Sequence, residues 1–466
     1  MGKHRWRVAP VLMVMALAAA ACGARVDDAQ VHALAPGQQA RGASATGGPA
    51  QGDAASADVT GPGASGASAV AGPAASAGSS TTVAPAGGNG GATDVGVTAD
   101  TITLGNVSTL SGPVPGLFAG AVYGTQAAIA YQNSLGGVFG RKLKLVVGDD
   151  QFDTGQNRAQ TTDLAGRVLG FVGGFSLYDD AGADLLQKNG VPDVQVPLST
   201  GLQDSPVNFS VAPVRDGSPT GPWNWLKGRH PEAMKIGAIY SDVPAAKKAF
   251  LDAQQAAQVA GYQFVYSRGI QATETDFTAD VVRMRSAGVN LVFNMADVKT
   301  DARLANNMAQ QGLKALYVTF GPAYDPAFLQ LAGANAEGVL NITTQAMFLG
   351  EDAPYIPEIK TALSWLQKIK PGYHPDLYAA YGWGSARLFI KALQDAGPKA
   401  TRASVLAALH KIDSWNGFGM FPDVGPASKR PATCFIMITV HNGKFERADP
   451  PPPAFICKDS VFQLRH

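Results

Sequence analysis

The sequence lacks the features that most enzymes and nucleic-acid-binding proteins carry. No HExxH, GxSxG, Walker phosphate-loop or CxxC motif occurs, so no recognised catalytic constellation or metal site is available. Its 37 basic residues are balanced by 36 acidic ones, which argues against nucleic acid as the main partner. We therefore expect no enzymatic activity, no cofactor and no bound metal.

Long apolar runs are also scarce. The only candidate, Val8 to Ala21, is shorter than the roughly 20 residues that a membrane-spanning helix needs. It follows Lys3, Arg5 and Arg7, which is typical of an export signal. The run ends in AAAC, similar to a bacterial lipobox, although Ala19 replaces the usual leucine. Residues 1–21 are thus interpreted as a lipoprotein signal peptide with lipid attached at Cys22; the alternative is an ordinary signal peptide with an incidental cysteine.

Residues 22–93 are rich in Ala, Gly, Ser, Pro and Thr and contain almost no large apolar side chains. Such a segment cannot bury enough surface to offset the entropy lost on ordering. The composition predicts a disordered tether between the membrane surface and a folded domain.

The folded part opens with an α/β pattern. Ile102–Val107 is strand-like, a loop from Ser108 to Pro115 follows, and Phe118, Val122 and Ile129 mark a helix face. Leu143–Val147 reads as a second buried strand, which completes one βαβ unit. Ligands in open α/β sheets lie beyond the carboxyl ends of the strands, so this loop is a candidate binding segment.

Three segments carry a family resemblance. ITLGNVSTLSGP, GGVFGRKLKLVVGDDQFD and GFVGGFSLYDDAGADLLQKNGVPDVQVPLST resemble the first lobe of type I periplasmic binding proteins, in particular the leucine/isoleucine/valine-binding proteins of ABC transporters. The resemblance extends from about Asp94 to about Arg447. It implies an α/β fold of two doubly wound lobes joined by a hinge of three crossovers. It also implies a small-molecule ligand, an ABC permease partner and a monomer.

The second doubly wound pattern starts near Gly217, so lobe boundaries can be drawn. We assign residues 94–214 and 345–418 to lobe 1, and residues 215–344 and 419–466 to lobe 2. The chain would cross between them near Val214, Thr344 and Phe418.

Three successive strands of lobe 1 end in loops with hydroxyl groups. Hydroxyls and backbone N–H groups there suit a carboxylate or another acceptor, although Ser and Thr can equally cap helices. The candidate ligand contacts in the two lobes are Ser111, Phe118, Ser176, Leu177, Tyr178, Ser199, Thr200, Tyr240, Asp242, Asp297, Thr300, Phe320 and Tyr324. Tyr378, Tyr381 and Trp383 lie at helical spacing, which is more typical of a core.

In amino-acid-binding relatives, groups matched by Ser176–Tyr178 and Ser199–Thr200 hold the ligand carboxylate. The position of their second-lobe tyrosine falls near Ala245, and the acid that pairs with the ligand ammonium falls at Thr300. Unless Asp297 or Asp301 reaches the cleft, the ligand is not a free α-amino acid. An amide, a small carboxylate or an aromatic acid would then fit better.

Two further groups of residues remain. Cys434 and Cys457 could form a disulfide in an oxidising compartment or stay as buried thiols. Asp149, Asp150 and Asp153 could bind a cation, but an acidic strand end or helix cap is the more ordinary interpretation.

Two functions stay open besides catalysis, which the missing motifs disfavour. The first is a lipid-anchored solute-binding protein on the outer face of the membrane that delivers its ligand to an ABC permease. The second is a sensor domain of the same fold that signals to a membrane partner.

Overall fold

The computed structural model describes residues 81–271 and 273–464; the predicted signal peptide, Cys22 and most of the predicted tether lie outside these residues. The strands are β1 (Thr101–Ser108), β2 (Lys142–Asp149), β3 (Phe171–Val172), β4 (Asp193–Val194), β5 (Asn208–Phe209), β6 (Gly217–Pro219), β7 (Lys235–Ser241), β8 (Gln263–Ile270), β9 (Leu291–Met295), β10 (Leu316–Phe320), β11 (Leu340–Thr343), β12 (Ile436–His441), β13 (Lys444–Asp449) and β14 (Phe462–Leu464). The helices are α1 (Ala119–Ser134), α2 (Thr154–Ala165), α3 (Ala183–Lys188), α4 (Thr200–Asp204), α5 (Gly221–Arg229), α6 (Pro244–Val259), α7 (Thr278–Ser286), α8 (Val298–Gln310), α9 (Pro326–Ala332), α10 (Pro357–Ile369), α11 (Leu377–Ala396) and α12 (Arg402–Leu409).

Twelve of the described strands form two open sheets, one in each lobe, while β6 and β14 pair separately as a two-stranded antiparallel sheet. The first has the order β2-β1-β3-β4-β5, and all of its pairings are parallel. The second has the order β13-β12-β11-β10-β9-β7-β8 and is parallel except where β12 and β13 join as antiparallel strands. This confirms the predicted fold of two doubly wound α/β lobes. The strand order reverses beside β1 in one sheet and beside β7 in the other, which is where such folds hold ligands.

Helix α11 returns from the second lobe to complete the first. Asp376 caps its first turn by accepting a hydrogen bond from the N–H of Ala379. The helix packs on α1 at very short range because each contributes a glycine. A Cβ atom at Gly124 would lie 2.0 Å from the carbonyl oxygen of Ala379, and one at Gly382 would lie 2.1 Å from that of Ala121. Trp383 is 2 % exposed, so it belongs to this core, as its helical spacing predicts.

The folded part begins before the predicted boundary at Asp94. Arg141 is buried and donates hydrogen bonds from its Nη atoms to the carbonyl oxygens of Asn89 (2.6 Å), Gly91 (2.8 Å) and Pro398 (2.6 Å). The N–H of Phe139 also donates to the carbonyl of Thr81. Residues 81–93 therefore pack on the first lobe instead of belonging to the tether. Their composition did not predict this packing, because backbone carbonyl oxygens, not apolar side chains, make the contacts.

We place the last crossing between the lobes somewhat later in the chain than the predicted position near Phe418. Lys429 Nζ donates to the carbonyl oxygens of Gln203 and Ser205 in the first lobe, whereas β12 of the second lobe begins at Ile436. These contacts favour a crossing between residues 430 and 435. The predicted disulfide lies there: Cys434 is bonded to Cys457, and the Phe435 and Ile456 backbones pair beside it.

Candidate functional site

The carboxyl ends of the first-lobe strands are joined to one another by carboxylates. Asp149, at the end of β2, accepts hydrogen bonds from the N–H groups of Leu110 (3.0 Å) and Ser111 (3.2 Å), and from Ser111 Oγ (2.6 Å). Although burial acts to raise it, the pKa of Asp149 is held below its ordinary value by these hydrogen bonds. The predicted contact Ser111 is thus fixed to the neighbouring strand.

Asp150, which follows β2 directly, connects the end of that strand to the loop after β3. It is fully buried and accepts hydrogen bonds from Ser176 Oγ, from Asn157 Nδ2 (3.2 Å) and from the N–H of Phe152 (3.0 Å). Ser176 Oγ in turn accepts the N–H of Tyr178 (3.0 Å). The hydroxyl of Ser176, a predicted ligand contact, is therefore engaged as both donor and acceptor within the protein. Its neighbour Leu177 packs against the core.

A third carboxylate links the loops after β3 and β4. Asp179 accepts hydrogen bonds from the N–H groups of Leu198 (2.6 Å) and Ser199 (3.1 Å). Burial raises the pKa of Asp179 to about 7 in spite of these bonds. Ser199 caps α4, while Thr200, the first residue of that helix, is exposed. Of these two predicted contacts, Thr200 has the more accessible hydroxyl.

Sharp backbone turns let these loops meet. Gly173 follows β3 with φ 62°, in the left-handed region that favours glycine, and a Cβ atom there would lie 2.0 Å from Thr125 Oγ1.

Asp153 caps α2 by accepting the N–H of Gln156 (2.8 Å). The acidic cluster of Asp149, Asp150 and Asp153 therefore serves as strand-end and helix-cap acceptors, and no group of three or more metal-ligating side chains occurs among the described residues.

Aromatic rings lie beside these loops. Phe118 contacts Phe175 and Tyr378 with ring centroids 4.9 and 4.7 Å apart, and Phe175 lies 4.9 Å from Tyr378 and 6.0 Å from Tyr381. We call these four residues the aromatic wall. Sequence reasoning included Phe118 but omitted Phe175, whose position in the same loop as Ser176 was the available signal.

The polar residues of the second lobe mostly support their own helices. Asp297 caps α8, accepting the N–H groups of Lys299 (2.9 Å) and Thr300 (3.3 Å) and the hydroxyl of Thr300 (2.7 Å). Asp301 is buried and accepts hydrogen bonds from Asn294 Nδ2 (2.7 Å) and the Tyr317 hydroxyl (3.3 Å). Asp242 is exposed after β7.

The second-lobe aromatic candidates pack inward. Tyr240 stacks on Phe250 of α6 at a centroid distance of 4.2 Å, and Phe320 packs against the same core. Tyr324 is fully buried, and its hydroxyl donates to Glu351 at 2.5 Å. That burial leaves Tyr324 no surface for a ligand. Its sequence position after a strand did not reveal the partner, which lies 27 residues later.

The strand ends of the two lobes face each other. A Cβ atom added to Gly321, after β10, would lie 3.1 Å from Leu377 at the start of α11. Burial first, and then the carboxylates of Asp376, Asp297 and Asp301, raise the pKa of Tyr378. Tyr378 of the first lobe is therefore within electrostatic range of the α8 end of the second. Among the predicted contacts, Ser111 and Ser176 are hydrogen-bonded to carboxylates of neighbouring first-lobe strand ends, and Asp297 and Thr300 are bonded to each other in the second lobe.

A separate groove of about 650 Å³ lies near the last crossing. Tyr355, Phe418, Phe421, Phe455 and the Cys434–Cys457 disulfide are among the residues that line it, and none of the predicted ligand contacts does. The groove is therefore distinct from the cleft between the strand ends.

Comparison with known proteins decides the family. The model of the periplasmic binding protein family matches residues 101–444. The chain belongs to the periplasmic binding protein family. This is a family of solute-binding proteins, not of enzymes. No helix in residues 81–271 and 273–464 is sufficiently long and apolar to span a membrane.

Individual relatives agree with this assignment. The chain is 24% identical over 280 residues to Leu/Ile/Val-binding protein homolog 2 of Brucella abortus, covering 59% of this chain and 73% of the relative. A branched-chain amino acid ABC transporter structure from Thermus thermophilus with bound valine has a TM-score of 0.66 at 19% identity, covering 75% of this chain and 96% of the other. A solute-binding protein of an R. palustris ABC transporter in complex with 4-hydroxybenzoate has a TM-score of 0.64 at 21% identity, with the same two coverages. At these identities the two structures show the fold alone.

Proposed function

We propose that this chain is an extracytoplasmic solute-binding protein that closes its two lobes on a small polar ligand and delivers it to an ABC permease. The observation that supports this most is the pair of facing strand ends, with a hydroxyl-bearing, carboxylate-braced surface on one side and the α8 end on the other. Such facing ends between two lobes are typical of a hinge-closing ligand site.

We assign ligand contact to Thr200, Tyr178 and Tyr378; Phe118 is 2 % exposed and packs against the ring of Tyr378. Thr200 offers an exposed hydroxyl, and Tyr178 and Tyr378 are half-buried beside the loops after β3 and β4. These hydroxyls can donate to the acceptor end of a ligand.

Ligand binding can be tested on the chain from residue 22 onward with Cys22 replaced by serine. We expect a subset of small carboxylates, amides or amino acids to raise the melting temperature and to lower the radius of gyration in X-ray scattering. Thr200→Ala should weaken that response, because it removes a donor at the strand end. If no small molecule in a broad panel shifts the melting temperature, the binding function is wrong.

Transport and anchoring require separate tests. In its native cell, the chain with Cys22 should fractionate with membranes and carry the mass of a lipid, whereas Cys22→Ser should be released. Deleting the gene should abolish uptake of the identified ligand. Binding without any loss of uptake would instead indicate the sensor role, in which closure is passed to a signalling partner. We expect the purified chain to be a monomer by light scattering.

A further inference from the structure

We infer that residues 450–464, which we call the hinge strap, couple the three crossings between the lobes, and that the Cys434–Cys457 disulfide makes this coupling sensitive to reducing conditions. The inference goes beyond the proposed function and does not depend on which ligand the cleft binds. It rests on the contacts that one short segment makes with each crossing in turn.

The first crossing is joined to the hinge strap by a pair of strands. The chain leaves the first sheet at β5 and enters the core of the second lobe at α5, so β6 lies in the connection between them. The strand β14 of the hinge strap pairs with β6 in the antiparallel sense. Beside this pair, the N–H of Thr220 donates to the carbonyl oxygen of Val461 (2.9 Å), and the N–H of Val461 donates to the Thr220 hydroxyl (3.2 Å).

The second crossing, between β11 and α10, is reached through Arg447 of β13. Arg447 Nε donates to Asp352 Oδ1 in this crossing at 2.9 Å, and the two side chains are 6 % and 1 % exposed. The same guanidinium donates from Nη1 to the carbonyl oxygens of Pro450 (3.1 Å) and Ala454 (2.7 Å) in the hinge strap. Because a buried charge that loses its partner is costly, Arg447 keeps the strap and the second crossing together.

The third crossing, which precedes β12, has a covalent link to the hinge strap. Cys434 of the crossing is bonded to Cys457 of the strap. Directly beside the disulfide, the backbones of Phe435 and Ile456 exchange two N–H to carbonyl hydrogen bonds of 3.0 and 2.9 Å. The strap therefore contacts all three crossings within fifteen residues of chain, from 450 to 464.

The groove of about 650 Å³ described above lies on one side of the third crossing. Thr433 and Cys434 of the crossing line it together with Pro453 and Phe455 of the hinge strap. The crossing therefore has room to shift on the groove side. Its attachment to the strap, which includes a hydrogen bond from Ser460 Oγ to the carbonyl oxygen of Thr433 (2.5 Å), limits that movement.

Lobe closure changes backbone angles in the crossings. Crossings that are bonded to one common segment cannot make such changes independently without breaking their bonds to it. The pairing of β14 with β6 covers only three residues, and two strands that short are not stable in isolation. The hinge strap therefore depends on its other attachments, of which the disulfide is the strongest.

The disulfide can be reached by a small dithiol because Cys457 is exposed. Dithiothreitol would be oxidised to its cyclic disulfide, while Cys434–Cys457 takes up two electrons and two protons and becomes two thiols. The strap would then be attached to the third crossing by hydrogen bonds alone. We expect all three crossings to open more often in that state.

Hydrogen exchange followed by mass spectrometry tests this on the chain from residue 22 onward with Cys22→Ser, which retains only the disulfide pair of its three cysteines. In the first minutes of exchange, when local opening dominates, dithiothreitol should speed exchange at least about tenfold in peptides that contain Thr220, Met347 and Phe435, one from each crossing. The double variant Cys434→Ser, Cys457→Ser should behave in the same way without the reductant. Peptides from β1 and β9 should stay protected in this time window, which shows that both lobes remain folded.

Two further variants separate coupling from a general loss of stability. Asp325→Ala is the matched control, because it removes a cap of the second lobe outside the hinge strap, and it should leave the three crossing peptides at wild-type rates. Thr220→Val keeps the disulfide and removes only the hydroxyl that accepts the N–H of Val461. It should speed exchange in the peptides of the other two crossings about threefold, since coupling between sites is reciprocal.

Three results would overturn the inference. Faster exchange confined to the peptides around Cys434 and Cys457 would show that the disulfide is a local link. Equal acceleration in Asp325→Ala would show that lost stability, and not the hinge strap, controls the crossings. If reduction exposes β1 and β9 as well, Thr220→Val decides, and unchanged exchange at Met347 and Phe435 in that variant would rule out the coupling. None of these results would bear on whether the cleft binds a small molecule.

Discussion

The two lobes share a fold but use their strand-end carboxylates differently. In the first lobe, Asp149, Asp150 and Asp179 each connect one strand-end loop to a different strand or loop. In the second, Asp297 and Asp325 accept N–H groups from the helices that follow them directly. The three strand-end carboxylates of the first lobe therefore connect loops to one another, whereas Asp297 and Asp325 of the second lobe each support the helix that follows them.

This difference suggests that the two lobes contribute differently to ligand binding. A surface whose loops are cross-connected loses little freedom on binding, which favours affinity and selectivity. A surface supported helix by helix can adjust as the lobes close. We therefore expect ligand recognition to depend more strongly on the first lobe than on the second.

The largest expected effect comes from breaking a cross-connection. Asp150→Ala leaves the donors of Ser176, Asn157 and Phe152 without their buried acceptor, which should lower the free energy of unfolding by about 3 kcal/mol. Asp153→Ala, which removes only the cap of α2, is the matched control and should cost about 1 kcal/mol. Urea denaturation measures both. Equal losses in the two variants would show that Asp150 acts as a local cap, against the comparison drawn here.

The second lobe has a covalent connection of its own. Replacing both Cys434 and Cys457 by serine should lower the free energy of unfolding by about 3 kcal/mol, because the disulfide restricts the unfolded chain between them. Guanidinium denaturation with and without dithiothreitol checks this. The reductant should destabilise the wild type to the level of the double variant and leave the variant itself unchanged. A wild type that is insensitive to complete reduction would contradict the prediction.

A third test measures how the buried acids of the first lobe make stability depend on pH. Burial raises the pKa of Asp179 and Asp193, both in the first lobe, to about 7 from an ordinary value of 3.8. The folded state therefore binds more protons than the unfolded state between these values, so stability is lost as pH rises from about 4 to 7. Asp193→Asn should reduce the fall in melting temperature between pH 5 and pH 8 by on the order of 5 °C.

The control for this experiment is an acid without such burial. Asp153→Asn keeps a capping oxygen at an exposed position and should leave the pH profile of the wild type unchanged. Should Asp193→Asn and the wild type lose the same melting temperature between the two pH values, the buried acids of the first lobe would not control its stability.

Sequence reasoning predicted the fold well because its signals are periodic. Buried strands such as β1 and β2, with Ile102, Leu104 and Leu143 in the core, repeat in both halves and read directly as two doubly wound units. The disulfide was also predicted, because the predicted export would place Cys434 and Cys457 in an oxidising compartment. These features depend on local pattern or on compartment and need no knowledge of distant contacts.

The site was harder to predict because its residues find partners far along the chain. Ser176 looked like a free hydroxyl, but it donates a hydrogen bond to Asp150, 26 residues earlier in the chain. Tyr324 looked like a cleft residue, but Glu351 and the rings of Phe348 and Phe445 bury it. Periodicity cannot reveal such pairings, so residue type and strand-end position overestimated the number of free polar groups.

The smallest expected effect on stability comes from removing a helix cap in the second lobe. Asp325→Ala removes the acceptor for the N–H of Ala327 (2.7 Å) at the start of α9, and should cost about 1 kcal/mol in urea denaturation. Asp325→Asn, which retains a capping oxygen, should cost less than half of that. Because the support is local, ligand affinity should stay within about twofold in both variants. A loss of 3 kcal/mol or a large change in affinity would mean that Asp325 supports more than its own helix, and the contrast with the first-lobe carboxylates would then not hold.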